Sequence, residues 1–63
     1  MIVYQVELLD IKDESNEVLE HSSLYSNRMT AEEEKKRFQE MNREDIRKGE
    51  VCVTLRQHYI IED

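Results

Sequence analysis

The sequence predicts an α+β fold: a single β-β-α-β domain in which one helix packs on one face of a three-stranded sheet. Three observations carry that expectation. Apolar residues alternate with polar ones at period two near both ends of the chain, over residues 2–11 and 50–62. Between them, residues 31–48 show acids early, bases late and a glycine just beyond, the marks of a helix. The polar run Lys12-Asp13-Glu14-Ser15-Asn16-Glu17 reads as a hairpin loop, because Asp, Ser and Asn side chains bond to nearby backbone. With 63 residues there is room for one domain, 1–63, which buries only roughly 60% of the surface its unfolded chain exposes.

In strand 2–11, Ile2, Tyr4, Val6 and Leu8 alternate with Val3, Gln5 and Glu7. The pair Leu8-Leu9 breaks the alternation and predicts a bulge or strand end near Leu9. The loop that follows lacks an Asn-Gly pair, so it is expected to be longer than two residues. Strand 18–25 has no clearly apolar face, which suits a sheet edge.

Helix 31–48 opens on Thr30-Ala31-Glu32-Glu33, a capping-box pattern, with Arg47-Lys48 at the negative end of its dipole and Gly49 as its stop. The pairs Glu32–Lys36, Glu33–Arg37 and Glu44–Lys48 each contribute about 0.2–0.5 kcal/mol. Its apolar stripe is thin: Ala31, Phe38 and Met41, with Ile46 reaching the core only if the last turn distorts. Strand 50–62 is long for so small a domain, and a kink is expected near Arg56-Gln57-His58. The first strand is the most apolar, so the expected spatial order is 2-1-3.

The expected inward set is Ile2, Tyr4, Val6, Leu8, Leu24, Phe38, Met41, Val51, Val53, Leu55, Tyr59 and Ile61. The opposite sheet face then carries Val3, Leu9, Leu19, Tyr25, Cys52 and Ile60, more apolar surface than suits a small monomer. A homodimer that buries this face, or that joins sheets edge to edge, is the expected remedy.

Fifteen acids against nine bases give a net charge of −6. Direct nucleic-acid binding and attachment to anionic membranes are disfavoured, since both need clustered Lys and Arg. High charge is also a mark of disorder, but the periodic apolar residues argue against it. The charge is unevenly spread: residues 1–27 hold six acids and one base, residues 28–48 six acids and seven bases. Asp10, Asp13, Glu14, Glu17 and Glu20 make the hairpin an acidic element. Two readings follow: solubility, or recognition of a protein partner with a basic surface. A calcium site is disfavoured, because the spacing lacks the EF-hand start and central glycine.

Candidates for catalysis are few. Cys52 is the only cysteine, which excludes an internal disulfide and a cysteine-rich zinc site. His21 and His58 are the only histidines, and they meet only if their strands are neighbours. No catalytic residue, cofactor site or metal site is expected. No apolar run approaches the roughly 20 residues of a membrane span, and no leader pattern is seen, so a cytoplasmic protein is expected.

The segment Leu24-Tyr25-Ser26, then Thr30-Ala31-Glu32-Glu33, Phe38 and a closing Tyr59-Ile60-Ile61-Glu62-Asp63, resembles small acidic phage- or prophage-encoded proteins in size and element order. Most of these have no assigned activity. Some, including inhibitors of uracil-DNA glycosylase, block a host DNA-binding protein. The resemblance implies a noncatalytic inhibitor or modulator of that kind. The alternative is a small assembly protein that homo-oligomerises through its apolar sheet face.

Overall fold

The computed structural model describes residues 1–12 and 14–61. The elements are β1 (Ile2–Asp10), β2 (Val18–His21), α1 (Arg28–Met41), α2 (Arg43–Arg47) and β3 (Val51–Tyr59). They form an α+β domain whose sheet has the order β2-β1-β3, with both pairings antiparallel.

The first strand is central and carries apolar side chains on both faces, Val6 and Leu8 on one and Val3 and Leu9 on the other. Its Val6 and Leu8 meet Phe38 of α1 and Val51 of β3 in one buried cluster, against which Ile46, Val53 and Leu55 pack. The bulge expected near Leu9 is present: Leu8 pairs with Glu20 and Leu9 with Val18, which leaves Leu19 as the extra residue on β2. In the connecting loop, Asn16 takes a left-handed conformation (φ 50°), which Asn tolerates better than most residues.

β2 is shorter than the expected 18–25, and Ser22 is the reason. Its N–H donates to Val6 O (2.9 Å), while its hydroxyl accepts from Val6 N–H (2.9 Å) and donates to Ser23 O (2.8 Å). A side chain thus replaces a carbonyl in the ladder and turns the chain aside. Pairing resumes only at a single Tyr4–Tyr25 bridge.

The helix departs from expectation at both ends. It is capped by Asn27, not Thr30: Asn27 Oδ1 accepts from Met29 N–H (2.8 Å) and Thr30 N–H (3.3 Å). Asn is the stronger cap, and its extended backbone already bends the chain into the first turn. No acid therefore lies in that turn. The ion pairs shift accordingly, to Arg28–Glu32 (3.5 Å), Glu34–Arg37 and Glu44–Arg47 (3.1 Å) among the described residues.

At the other end the helix breaks at Asn42. Its side-chain Nδ2 donates to Phe38 O (2.8 Å), the same carbonyl its own backbone N–H uses (3.1 Å). The break turns Ile46 toward the core, the distortion that its position on a regular helix required. α2 then closes with a Schellman pair, Gly49 N–H to Ile46 O and Glu50 N–H to Asp45 O, both 3.0 Å.

β3 keeps an unbroken register with β1 from Val51 to Tyr59, so the kink expected near Gln57 does not occur. The helices cover only the half of the sheet that holds Val6, Leu8 and Val51–Leu55. Ile2, Leu24, Met41, Tyr59 and Ile61, expected inward, are exposed, with Ile61 at 89%. The domain is accordingly elongated, 43 × 24 × 11 Å.

Two stability outcomes follow. Phe38→Ala removes the only aromatic side chain of the core cluster and is expected to cost about 3–5 kcal/mol, comparable to the whole stability of a domain this small; thermal unfolding by circular dichroism measures it. At Gly49 a Cβ would meet nothing within 4 Å, so Gly49→Ala tests only the left-handed backbone (φ 75°). That substitution is expected to cost about 1 kcal/mol, and Gly49→Asn less.

Candidate functional site

Strand alternation places Val3, Gln5, Glu7 and Leu9 on the face away from the helices. They pair there with His58, Arg56, Thr54 and Cys52 of β3. The middle of this open face is a connected polar row. Gln5 Nε2 donates to Ser22 O (3.0 Å) and lies 3.2 Å from His21 Nδ1, which is itself 3.1 Å from Ser22 O, and Gln5 Oε1 lies 3.2 Å from His58 Nε2. Beside it, Glu7 Oε1 bonds Arg56 Nη1 at 3.4 Å, with the Glu7 side chain 12% exposed.

The strands of His21 and His58 are not neighbours, yet Gln5 from the strand between them touches both rings. Neither composition nor spacing signals this bridge. Only the 2-1-3 order combined with the pairing register places Gln5 between the two histidines.

The residues expected to form a self-association face are dispersed. Val3 is only 5% exposed. Leu9 and Cys52 are half-buried opposite each other, beyond the polar row from Val3 and the exposed Ile60. Leu19 sits at the β2 bulge, and Tyr25 shares a bridge with Tyr4, on the helix side. Cys52 and His58 lie six positions apart on one extended strand, about 20 Å at 3.3 Å per residue, so this histidine is out of reach as a base for the thiol.

The acidic hairpin presents a different surface. Asp10 Oδ1 accepts from Lys12 N–H (2.9 Å) and shapes the loop. Glu14, Glu17 and Glu20 are exposed. Asp13 lies outside the described residues. Every ion pair among the described residues uses a helix acid or Glu7, and none uses these hairpin carboxylates. Glu20 faces the helix side opposite Leu8, and its charge is felt at Arg37.

On α1, Arg37 chelates Glu34 through its Nε (3.0 and 3.1 Å) and Nη2, and its guanidinium lies 5.8 Å from the Phe38 ring centre. The Arg37 hydrogen bonds hold the Glu34 carboxyl below its ordinary 4.5. The break after α1 leaves a shallow open depression lined by Glu40, Met41, Asn42, Arg43, Glu44 and Asp45. Among the described residues no group of three or more His, Cys, Asp or Glu side chains converges as a metal site, and no helix is long and apolar enough to cross a membrane.

No protein-family model matches the chain, and neither a curated protein nor a solved structure was found to be similar to it. The geometry therefore stands on its own. It offers two surfaces, an acidic hairpin whose carboxylates form no ion pair among the described residues and an open sheet face tied together by polar bonds.

Two outcomes test these assignments. His21 Nδ1 lies within reach of an amide donor, Gln5 Nε2 (3.2 Å), and of a carbonyl acceptor, Ser22 O (3.1 Å), so the ring tautomer decides which contact is a hydrogen bond. Imidazole nitrogen spectra at neutral pH read it: a proton on Nε2 joins His21 to the Gln5 row and is expected to respond to Gln5→Leu, whereas a proton on Nδ1 ties the ring to Ser22 and removes His21 from the row. For Glu34, a lowered folded pKa means stability that is complete above the unfolded value and is lost as pH falls through the folded one. Wild type is thus expected to lose, below about pH 4.5, the advantage it holds over Glu34→Gln at neutral pH, as read from denaturant midpoints at each pH.

Proposed function

We propose that the protein is a noncatalytic cytoplasmic binding protein that engages a basic protein surface through its acidic hairpin, in the manner of a phage-type inhibitor or modulator of a DNA-binding protein. One observation carries this reading. Residues 1–27 hold six acids against one base, and the exposed Glu14, Glu17 and Glu20 form no ion pair among the described residues, whereas Glu32, Glu34 and Glu44 on the helices are each paired with arginine. Compensated charge serves solubility locally and projects little field. Charge concentrated on one hairpin steers a basic partner and orients it.

The alternative, an assembly protein that homo-oligomerises through the open sheet face, has less support. The polar row formed by His21, Gln5, His58, Glu7 and Arg56 crosses the middle of that face.

The test is capture from host lysate at low and high salt, with wild type beside Glu14→Gln/Glu17→Gln/Glu20→Gln. Exposed ion pairs contribute ~0.2–1 kcal/mol each, so losing three is expected to weaken binding of the captured basic protein by about tenfold. High salt should have the same effect. A captured partner that survives both changes would overturn the proposal.

A further inference from the structure

We infer that the free edge of β3 is a self-pairing surface, at which two copies of the chain join antiparallel about a two-fold axis at Leu55 and form one continuous six-stranded sheet. The bonding pattern defines the edge. Met1 N bonds Ile60 O (3.2 Å), Ile60 N bonds Met1 O (2.8 Å) and Ile11 N bonds Glu50 O (3.0 Å). In an antiparallel pair such bonds recur at every second residue. Cys52, Thr54, Arg56 and His58 therefore turn their backbone groups toward β1. Val51, Val53, Leu55, Gln57 and Tyr59 turn theirs outward, and no described strand pairs with them.

The two edges of the sheet are built differently. β2 has four residues, a bulge at Leu19, the charged Glu20 and an acidic loop beside it, all features that discourage pairing. β3 has nine residues, no bulge and no proline. Its one acid or base, Arg56, is turned onto the open face toward Glu7.

The strand is also self-complementary in one register. An axis at Leu55 uses all nine residues. It sets Val51 against Tyr59 of the second copy, Val53 against Gln57, Thr54 against Arg56 and Cys52 against His58. The Val51–Tyr59 pair is the aromatic–β-branched type that favours pairing, and it gives a neighbour to Tyr59, now 76% exposed. Moving the axis to Arg56 would oppose two guanidinium groups. Moving it to Thr54 sets Tyr59 against Gly49, outside the strand.

Charge decides that a second copy fits here despite a net −6 per chain. Each acidic hairpin lies beside the Val51 end of its own β3, since Asp10 pairs with Val51. Antiparallel pairing puts the two hairpins at opposite ends of the joined strands, about 30 Å apart for nine residues and beyond the ~8–10 Å reach of charge in ordinary salt. This pairing does not depend on the basic-surface reading.

The test combines sedimentation from micromolar to submillimolar concentration with two variants and a distance. Gln57→Pro removes an outward N–H from each copy and leaves the β1 ladder intact. Tyr59→Lys charges an exposed edge position. Both are expected to stay folded by circular dichroism and to raise the dimer Kd at least about tenfold. A spin label on Cys52, the only cysteine, is expected to report a backbone separation of about 20 Å between copies, set by six residues of stagger. A monomer at every concentration would overturn the proposal. So would a dimer indifferent to both variants, or one lost on Val3→Glu and unaffected by Gln57→Pro. None of these results bears on capture of a basic partner.

Discussion

Val6 is where sheet, helix and hairpin are tied together. Its side chain is fully buried (0% exposed) in the cluster with Leu8, Phe38 and Val51. Its backbone N–H and C=O are both taken by Ser22, one through the hydroxyl and one through the amide. A buried backbone group left unpaired would cost about 1–3 kcal/mol, so Ser22 keeps the core position tenable. The same two bonds end β2 and redirect the chain toward Tyr25, which sets where α1 can begin. A central cluster of four buried residues has little in reserve, and its geometry is held by this polar clamp as well as by apolar area.

How far the sequence reveals this arrangement depends on the range of the interaction. Period-two alternation is local, and it locates the strands and, through Leu8-Leu9, the bulge. Gly49 is legible because its φ is a property of one residue. Asn27 and Thr30 compete as caps over three residues, and the pattern alone favours the box at Thr30 although Asn is the better acceptor. Asn42 and Ser22 are less legible still: each acts by side-chain bonds that compete with regular backbone pairing. The acidic hairpin shows in composition. The Gln5 bridge does not, because it needs the register of three strands at once.

The charges follow the same division between local and distant. On the helices Arg28, Arg37 and Arg47 each find an acid three or four residues away. Glu7 is nearly buried and takes its partner from another strand, Arg56, which keeps a carboxylate tolerable on the sheet. Asp10 is occupied in shaping its loop. Glu14, Glu17 and Glu20 enter no ion pair among the described residues, and residues 1–27 hold six acids against one base, whereas residues 28–48 hold six against seven. The excess negative charge of the chain is therefore directional.

Direction matters because it separates two surfaces on one small sheet. The hairpin and its bulged strand occupy one edge, where charge repels a second strand and attracts a base. The opposite edge is long, regular and nearly uncharged, and it repels nothing. A sheet of only three strands has two edges for every central strand, so exposed backbone is a larger share of its surface than in a wide sheet. Blunting both edges with charge would have added acid or base to β3, whose side chains Val51, Val53 and Leu55 are needed for the core. The core thus constrains the edge: Val51, Val53 and Leu55, whose backbone groups turn outward, complete the buried cluster and cannot be exchanged for charges.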